Sequence, residues 1–246
     1  MEKWYVSAKK ADFEKWAGRF HISPVLARIL RNRDLTQEPQ IEQFLYGTLK
    51  DCYSPWLLKD MDRAVELILH AVSENIRIRV IGDYDVDGIC SSYILSRGLQ
   101  ILGARVDTAI PHRIHDGYGL NDHLIEEAKQ DGVGMIVTCD NGIAASAQIA
   151  LARSLGIRVI VTDHHEVPFT WEKEENGQEV KRELLPPALA VVDPKQAACT
   201  YPFPGICGGV VAYKLVQALS EKTGNEELQE AMEELLEFAA LSTVCD

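Results

Sequence analysis

The sequence has no cysteine pair at metal-binding or redox spacing, no long apolar run and no excess of positive charge. Its six cysteines (Cys52, Cys90, Cys139, Cys199, Cys207 and Cys245) lie scattered through 246 residues with no Cys-x-x-Cys. That excludes a thiolate zinc site and reads as reduced thiols of a cytoplasmic protein. No window approaches the roughly eighteen consecutive apolar residues of a membrane-spanning helix. The first thirty residues hold no apolar segment of the secretory kind. There are no internal repeats. Lys and Arg number 25 against 37 Asp and Glu, a net charge of −12. This excludes a general nucleic-acid coating protein, because phosphate binding is carried by Lys and Arg. What is present is apolar material: a hydrophobic fraction of 46% is too high for a disordered chain and sufficient for a core. The length fits one large α/β domain or two small ones.

Residues 1 to about 75 read as helical. Ser23-Pro24 is a helix start, with Ser at the N-cap and Pro in the first turn. A second helix is expected around Glu38 to Leu45, and a third from about Pro55 to Ser73. From Ile76 the pattern changes. Strands are expected at Ile76–Ile81, Arg105–Ile110, Val133–Val137, Ile157–Val161 and Leu189–Val192. Helices are expected at Ser91–Leu102, Asn121–Lys129, Ala144–Leu155, Gly208–Thr223 and Glu226–Leu241. Strands alternating with helices imply βαβ units. The expected architecture is α/β, a parallel sheet flanked by helices over 76–246, with a helical N-terminal extension over 1–75. The polar stretch from Phe169 to Pro187 breaks the rhythm and reads as a surface loop or small excursion.

Four expected strands run directly into aspartates, Asp83, Asp140, Asp163 and Asp193. Parallel strands share their carboxyl-end edge, where α/β proteins bind ligands. Several carboxylates should therefore converge, and like charges packed together call for a cation among them. The densest cluster, Asp83-Tyr84-Asp85-Val86-Asp87-Gly88, resembles an EF-hand start. Loop position 12, where a bidentate Glu belongs, is Ile94, and a strand rather than a helix precedes it. An aspartyl-phosphate phosphatase also places Asp-x-Asp behind a first strand, but leaves Asp163-His164-His165 unexplained. Imidazole with carboxylates suits Mn²⁺, Fe or Zn better than Ca²⁺. Such a set could hold two divalent ions about 4 Å apart, the arrangement for in-line attack on phosphorus.

With these pieces the chain resembles the DHH phosphoesterase superfamily, and within it the RecJ single-strand-specific exonucleases. VIGDYDVDGICSSYIL, VTCDNGIAA and VTDHHEVP resemble the first three motifs, and the final ALSTVCD the fourth. PHRIHDGYGLN and VVDPKQAACTYPFPGICGGVVAYKL resemble RecJ segments between them. The resemblance implies a 5′→3′ exonuclease that hydrolyses single-stranded DNA to 5′-mononucleotides with two ions, Mn²⁺ or Mg²⁺, in repair and recombination. It implies Asp85, Asp87, Asp140, His164 and Asp246 as metal ligands, with Asp140 bridging, and His165 beside the scissile phosphate. Asp83 and Asp163 are expected as supporting or weaker ligands that orient His164 and the first-motif loop. Arg113 and His115 stand where the family contacts the nucleic-acid backbone, and Asn141 is a further candidate contact. Single-strand-binding protein and a helicase are the protein partners the resemblance implies; no membrane is involved.

Related DHH pyrophosphatases carry a histidine where this chain has Ile81, which weighs against that activity. RecJ proteins usually carry Asn where this chain has Asp193, so that residue is given no ligand role. They also continue beyond the position of Asp246 into DHH-associated and OB-fold domains, so this chain is expected to be an N-terminal catalytic-core portion. A phosphoesterase of short oligonucleotides or cyclic dinucleotides, and a non-catalytic DHH-fold scaffold, are the alternatives. Glu221 to Glu237 holds seven glutamates and one lysine, half of the net charge. The acidic total therefore does not exclude a DNA substrate.

Overall fold

The computed structural model describes residues 3, 5, 9–114, 119–173 and 178–246. The chain divides into two compact units, Met1–Cys52 and Tyr53–Asp246.

Among its described residues the first unit holds three α-helices, α1 (Phe13–Phe20), α2 (Pro24–Asn32) and α3 (Glu38–Tyr46), and a 3₁₀ turn at Leu49–Asp51. Asp12 caps α1 by accepting the Lys15 N–H, and Ser23 caps α2 by accepting that of Leu26. Trp16, Phe20, Ala27, Leu30 and Ile41 form their small core.

The second unit opens with α4 (Met61–Ser73), after a single 3₁₀ turn at Pro55–Leu57. The expected continuous helix is interrupted at Asp60, whose backbone is left-handed (φ 60°). The α4 residues Met61, Ala64, Val65 and Ile68 are buried with the sheet residues, which places this helix in the second unit. The remaining elements are β1 (Ile78–Ile81), α5 (Val86–Ile101), β2 (Val106–Ala109), α6 (Asp122–Gln130), β3 (Met135–Cys139), α7 (Ser146–Ser154), β4 (Arg158–Thr162), β5 (Phe169–Lys173), β6 (Glu179–Glu183), β7 (Ala190–Val192), α8 (Gly208–Thr223) and α9 (Glu226–Cys245).

Five strands form one parallel sheet in the order β2-β1-β3-β4-β7. The order reverses between β1 and β3, which opens a crevice at their carboxyl ends. Side chains alternate across the sheet. Ile78, Val80, Met135, Val137 and Ile160 pack with α4, α5, α8 and α9, while Ile81, Ile136, Val159 and Val161 pack with α6 and α7. Arg79 interrupts the apolar pattern of β1 and pairs with Asp107 (2.7 Å) and Asp131 (2.6 Å). At the β7 edge, the Val191 N–H donates to the Asp60 carboxylate (3.1 Å).

Three boundaries differ from the sequence reading. Helix α5 starts at Val86, five residues before the expected Ser91, because Asp85 caps it by accepting the Gly88 N–H (2.9 Å). Helix α9 runs past Leu241 to Cys245, which carries Asp246 on its end. The stretch expected as a surface loop or small excursion is an antiparallel hairpin, β5 with β6. Both faces of that hairpin are largely exposed, so it lacks the apolar alternation that marks a strand. Phe169 and Trp171 meet edge to face, and the Lys181 ammonium lies over the Phe169 ring.

Candidate metal centre

The site is built from strand ends and helix starts. Asp83 follows β1, Asp140 follows β3 and Asp163 follows β4, so the parallel sheet delivers all three to the crevice. Asp85 and Asp87 stand at the N-terminus of α5, where unpaired amides and the helix dipole favour carboxylates. Asp246 arrives from the far end of the chain on α9.

Three sets of donors result, each with atoms within 4.8 Å of one another: Asp83, Asp85 and Asp140; Asp87, His164 and Asp246; and Asp140, His164 and His165. Asp140 and His164 each belong to two sets, so the three merge into one cluster. Asp83, expected as a supporting or weaker ligand, stands among the donors of the first set. His164 Nε2 lies 3.0 Å from Asp140 Oδ1 and 3.4 Å from Asp87 Oδ2, and its Nδ1 lies 3.9 Å from Asp246.

Asp140 Oδ1 and His164 Nε2 are buried and face each other at 3.0 Å without a hydrogen bond of regular geometry, and the Asp83 carboxylate is fully buried beside them. Buried carboxylates left this way are costly unless protonated or joined by a cation. Burial pushes the pKa of Asp140 up to about 9, with the charges of Asp87 and Asp85 adding to it. Burial likewise raises Asp83. Asp140 also holds a left-handed backbone (φ 59°), rare outside Gly, Asn and Asp. Buried carboxylate oxygens with one imidazole form a hard, oxygen-rich donor set that fits Mn²⁺ or Mg²⁺.

Asp163, unlike Asp140, accepts hydrogen bonds on both carboxylate oxygens. Its Oδ2 accepts the Ile143 N–H (2.9 Å), and its Oδ1 accepts those of His164 (2.7 Å) and His165 (3.2 Å). Oδ1 also lies 2.7 Å from His165 Nδ1. Burial would raise this carboxyl, but the His165 hydrogen bond and charge, with the amides, hold it below the usual range. In return the Asp163 hydrogen bond raises His165. Asp163 thus orients the His165 ring directly, and meets His164 only through the backbone.

The Arg113 guanidinium stacks over the Tyr84 ring, 5.3 Å from its centre, beside the Asp83–Asp87 turn. His115 lies outside the described residues. Asn141 is buried: its amide nitrogen donates to Ile81 O (3.1 Å) and Cys139 O (3.0 Å), which ties the ends of β1 and β3 together. Its Oδ1 has no partner. A cavity of about 360 Å³ adjoins the cluster, lined by Leu120, Asn141, Ile143, Gln148, His165 and Glu166 among others. Asp193 is fully buried at the end of β7. Burial raises its pKa to about 7, and its Oδ2 has no partner. It joins none of the donor sets found among the described residues.

Carboxylates gathered at the switch point of a parallel sheet, completed by an Asp-His-His segment, define the class. Residues 77–243 match the DHH family, N-terminal domain, and the chain belongs to that family. Within it, the chain is 38% identical over 228 residues to the single-stranded-DNA-specific exonuclease RecJ of Bacillus subtilis (strain 168), covering 93% of this chain and 26% of that protein. It is 34% identical over 234 residues to the RecJ of Escherichia coli (strain K12), covering 92% of this chain and 37% of that protein. Two solved structures are similar. An exonuclease RecJ bound to manganese is 34% identical with a TM-score of 0.60, over 76% of this chain and 43% of that one. The RecJ of Thermus thermophilus in complex with Mn²⁺ is 27% identical with a TM-score of 0.64, over 94% of this chain and 30% of that one. The chain spans 26% to 37% of the length of these two curated relatives.

Gly208, Gly209 and Ser242 also reach the cluster; they lie in segments that carry the family resemblance, but the sequence assigns them no role of their own. Small residues carry no chemical signature of their own, and their partners are more than a hundred positions away.

Proposed function

We propose that this chain is the catalytic core of a RecJ-like exonuclease that hydrolyses single-stranded DNA with two divalent ions, Mn²⁺ or Mg²⁺. The observation that carries the reading is the cluster itself: five aspartates and His164 in overlapping donor sets, with Asp83, Asp87 and Asp140 buried. Asp83, Asp85 and Asp140 would hold one ion. Asp87, His164 and Asp246 would hold the other, with Asp140 between them. Bound there, the ions supply an activated water and offset charge on the phosphoryl oxygens.

The chain's own residues do the rest. Asp163 holds His165 by Nδ1, and this hydrogen bond raises the His165 pKa, which stabilises the charged ring. That charge would pair with a non-bridging oxygen of the scissile phosphate, and the same proton could pass to the leaving oxygen. Arg113, over the Tyr84 ring, would contact a flanking backbone phosphate. The cavity beside His165 is of a size to receive the neighbouring sugar and base.

The polarity, 5′→3′ with release of 5′-mononucleotides, rests on the likeness to RecJ proteins. So do the cytoplasmic setting and the protein partners, single-strand-binding protein and a helicase. Among the described residues no helix is long and apolar enough to cross a membrane. The test is a manganese-dependent digest of long single strands labelled at either end, beside duplex DNA and dinucleotides. Release of the 5′ label first from single strands is expected. Cleavage of dinucleotides with long strands untouched would instead assign a small-substrate phosphoesterase.

A further inference from the structure

Asp87 is held by two helices other than its own. Its Oδ2 accepts the Gly208 N–H (2.7 Å) and its Oδ1 accepts the Gly209 N–H (2.7 Å), both from the first turn of α8. The Ser242 hydroxyl of α9 donates to Oδ1 as well. The approach leaves no room for side chains. A Cβ on Gly208 would stand 2.8 Å from Asp140 Cβ, and one on Gly209 would stand 2.2 Å from Ser242 Oγ. Asp87 and Ser242 are both buried.

We infer that Gly208, Gly209 and Ser242 form a clamp that fixes Asp87 as a ligand through Oδ2 alone, and are positioning residues of the metal centre. The inference rests on the two-ion reading above. A carboxylate oxygen offers about two lone-pair positions. On Oδ1 both are taken, by Gly209 and Ser242. On Oδ2 one is taken, by Gly208, and the other remains on the oxygen that lies 3.4 Å from His164 Nε2. The amides of α8 would be unpaired at a helix start, and its dipole favours the anion, so the arrangement stabilises α8 and Asp87 together.

Ser242 has a second effect. It lies one turn before Asp246, and the Asp246 N–H donates to Ser242 O (3.0 Å). Anchoring Ser242 on Asp87 therefore sets the register of α9, and with it the reach of Asp246 toward His164. One hydroxyl couples a carboxylate near the start of the domain to one 159 positions later.

The test is titration of Mn²⁺ by calorimetry, with thermal unfolding of the metal-free protein, on wild type, Ser242→Ala and Gly209→Ala. Ser242→Ala is expected to lower Mn²⁺ affinity by about ten- to a hundredfold, with the metal-free melting temperature little changed. Gly209→Ala is expected to lose both. Combining it with Ser242→Gly should restore the fold, because the colliding side chain is gone, but not the affinity. Ser242→Ala with wild-type affinity for Mn²⁺ overturns the clamp. Wild type that binds no Mn²⁺ overturns the clamp and the metal-dependent reading together. Wild type that binds Mn²⁺ yet leaves single strands intact overturns the exonuclease reading and leaves the clamp to be decided by the Ser242→Ala titration.

Discussion

His165 Nδ1 lies 2.7 Å from Asp163 Oδ1, and that same oxygen accepts the His164 N–H at 2.7 Å. One buried carboxylate thereby fixes both members of the histidine pair. His164 is turned toward Asp87 and Asp140, while the His165 ring remains partly open to the crevice.

This pairing makes a prediction about pH. His165 is raised above its ordinary 6.5, so the stability it contributes is full below about 6.5 and lost as pH rises through its higher folded value. Asp163 is lowered from 3.8, so its contribution is present above about 3.8 and lost at lower pH. The pair stabilises the protein most between those limits. Asp163→Asn should lower the His165 pKa, read by NMR titration of the ring. The alkaline limb of the pH–activity profile should move down in parallel. Exchanging one buried acceptor oxygen for an NH2 that faces N–H donors should also cost about 1–3 kcal/mol of stability.

Asp140→Asn should stabilise the metal-free protein and end hydrolysis. The raised pKa, about 9, means the fold prefers this group neutral. Metal-free stability should therefore fall as pH rises from about 3.8 toward 9. Asparagine is neutral and tolerates the left-handed backbone, so relief on the order of 1–3 kcal/mol is expected at pH 7. Thermal melts with EDTA and with Mn²⁺ would measure it. The variant should melt higher in EDTA and gain less from the metal.

Arg113→Ala should weaken single-strand binding with little effect on turnover. One lost phosphate contact should reduce the slope of log affinity against log salt by about 0.7. Fluorescence anisotropy at several salt concentrations would show it, and an unchanged slope would remove Arg113 from the backbone contacts.

Arg79→Ala should destabilise the fold by about 2–3 kcal/mol while sparing Mn²⁺ affinity. It strands Asp107, which then has only Arg77, and removes the charged partner of Asp131. Urea unfolding would measure the loss, and calorimetry would check that the cluster is untouched.

Much of the fold was legible because the strands of its sheet are short and four of the five run into an aspartate. The same stops brought Asp83, Asp140 and Asp163 to one edge, as parallel strands require. The first helical turn was hidden because Asp85-Val86-Asp87-Gly88 carries turn-forming residues, although Asp85 serves as an N-cap. The β5–β6 hairpin was hidden because two exposed faces give no alternation. Asn141 illustrates a further limit. A polar residue beside an aspartate suggests a substrate contact, yet its amide hydrogens are committed to the ends of two strands. Nothing in the sequence near Asp87 told of the donors that reach it from positions 208, 209 and 242.

The bond from Val191 to Asp60 bears on how this molecule keeps to itself. A parallel sheet with an open final strand invites another chain to add its own strand there. Asp60 occupies a donor on that margin with a charged side chain, and β7 is only three residues long. The margin thus gives a newcomer little to pair with, and the Asp60 carboxylate is already paired with the Lys59 ammonium (3.3 Å). Asp60→Ala would leave that amide bare, so self-association through the β7 margin, read by light scattering, is the expected defect.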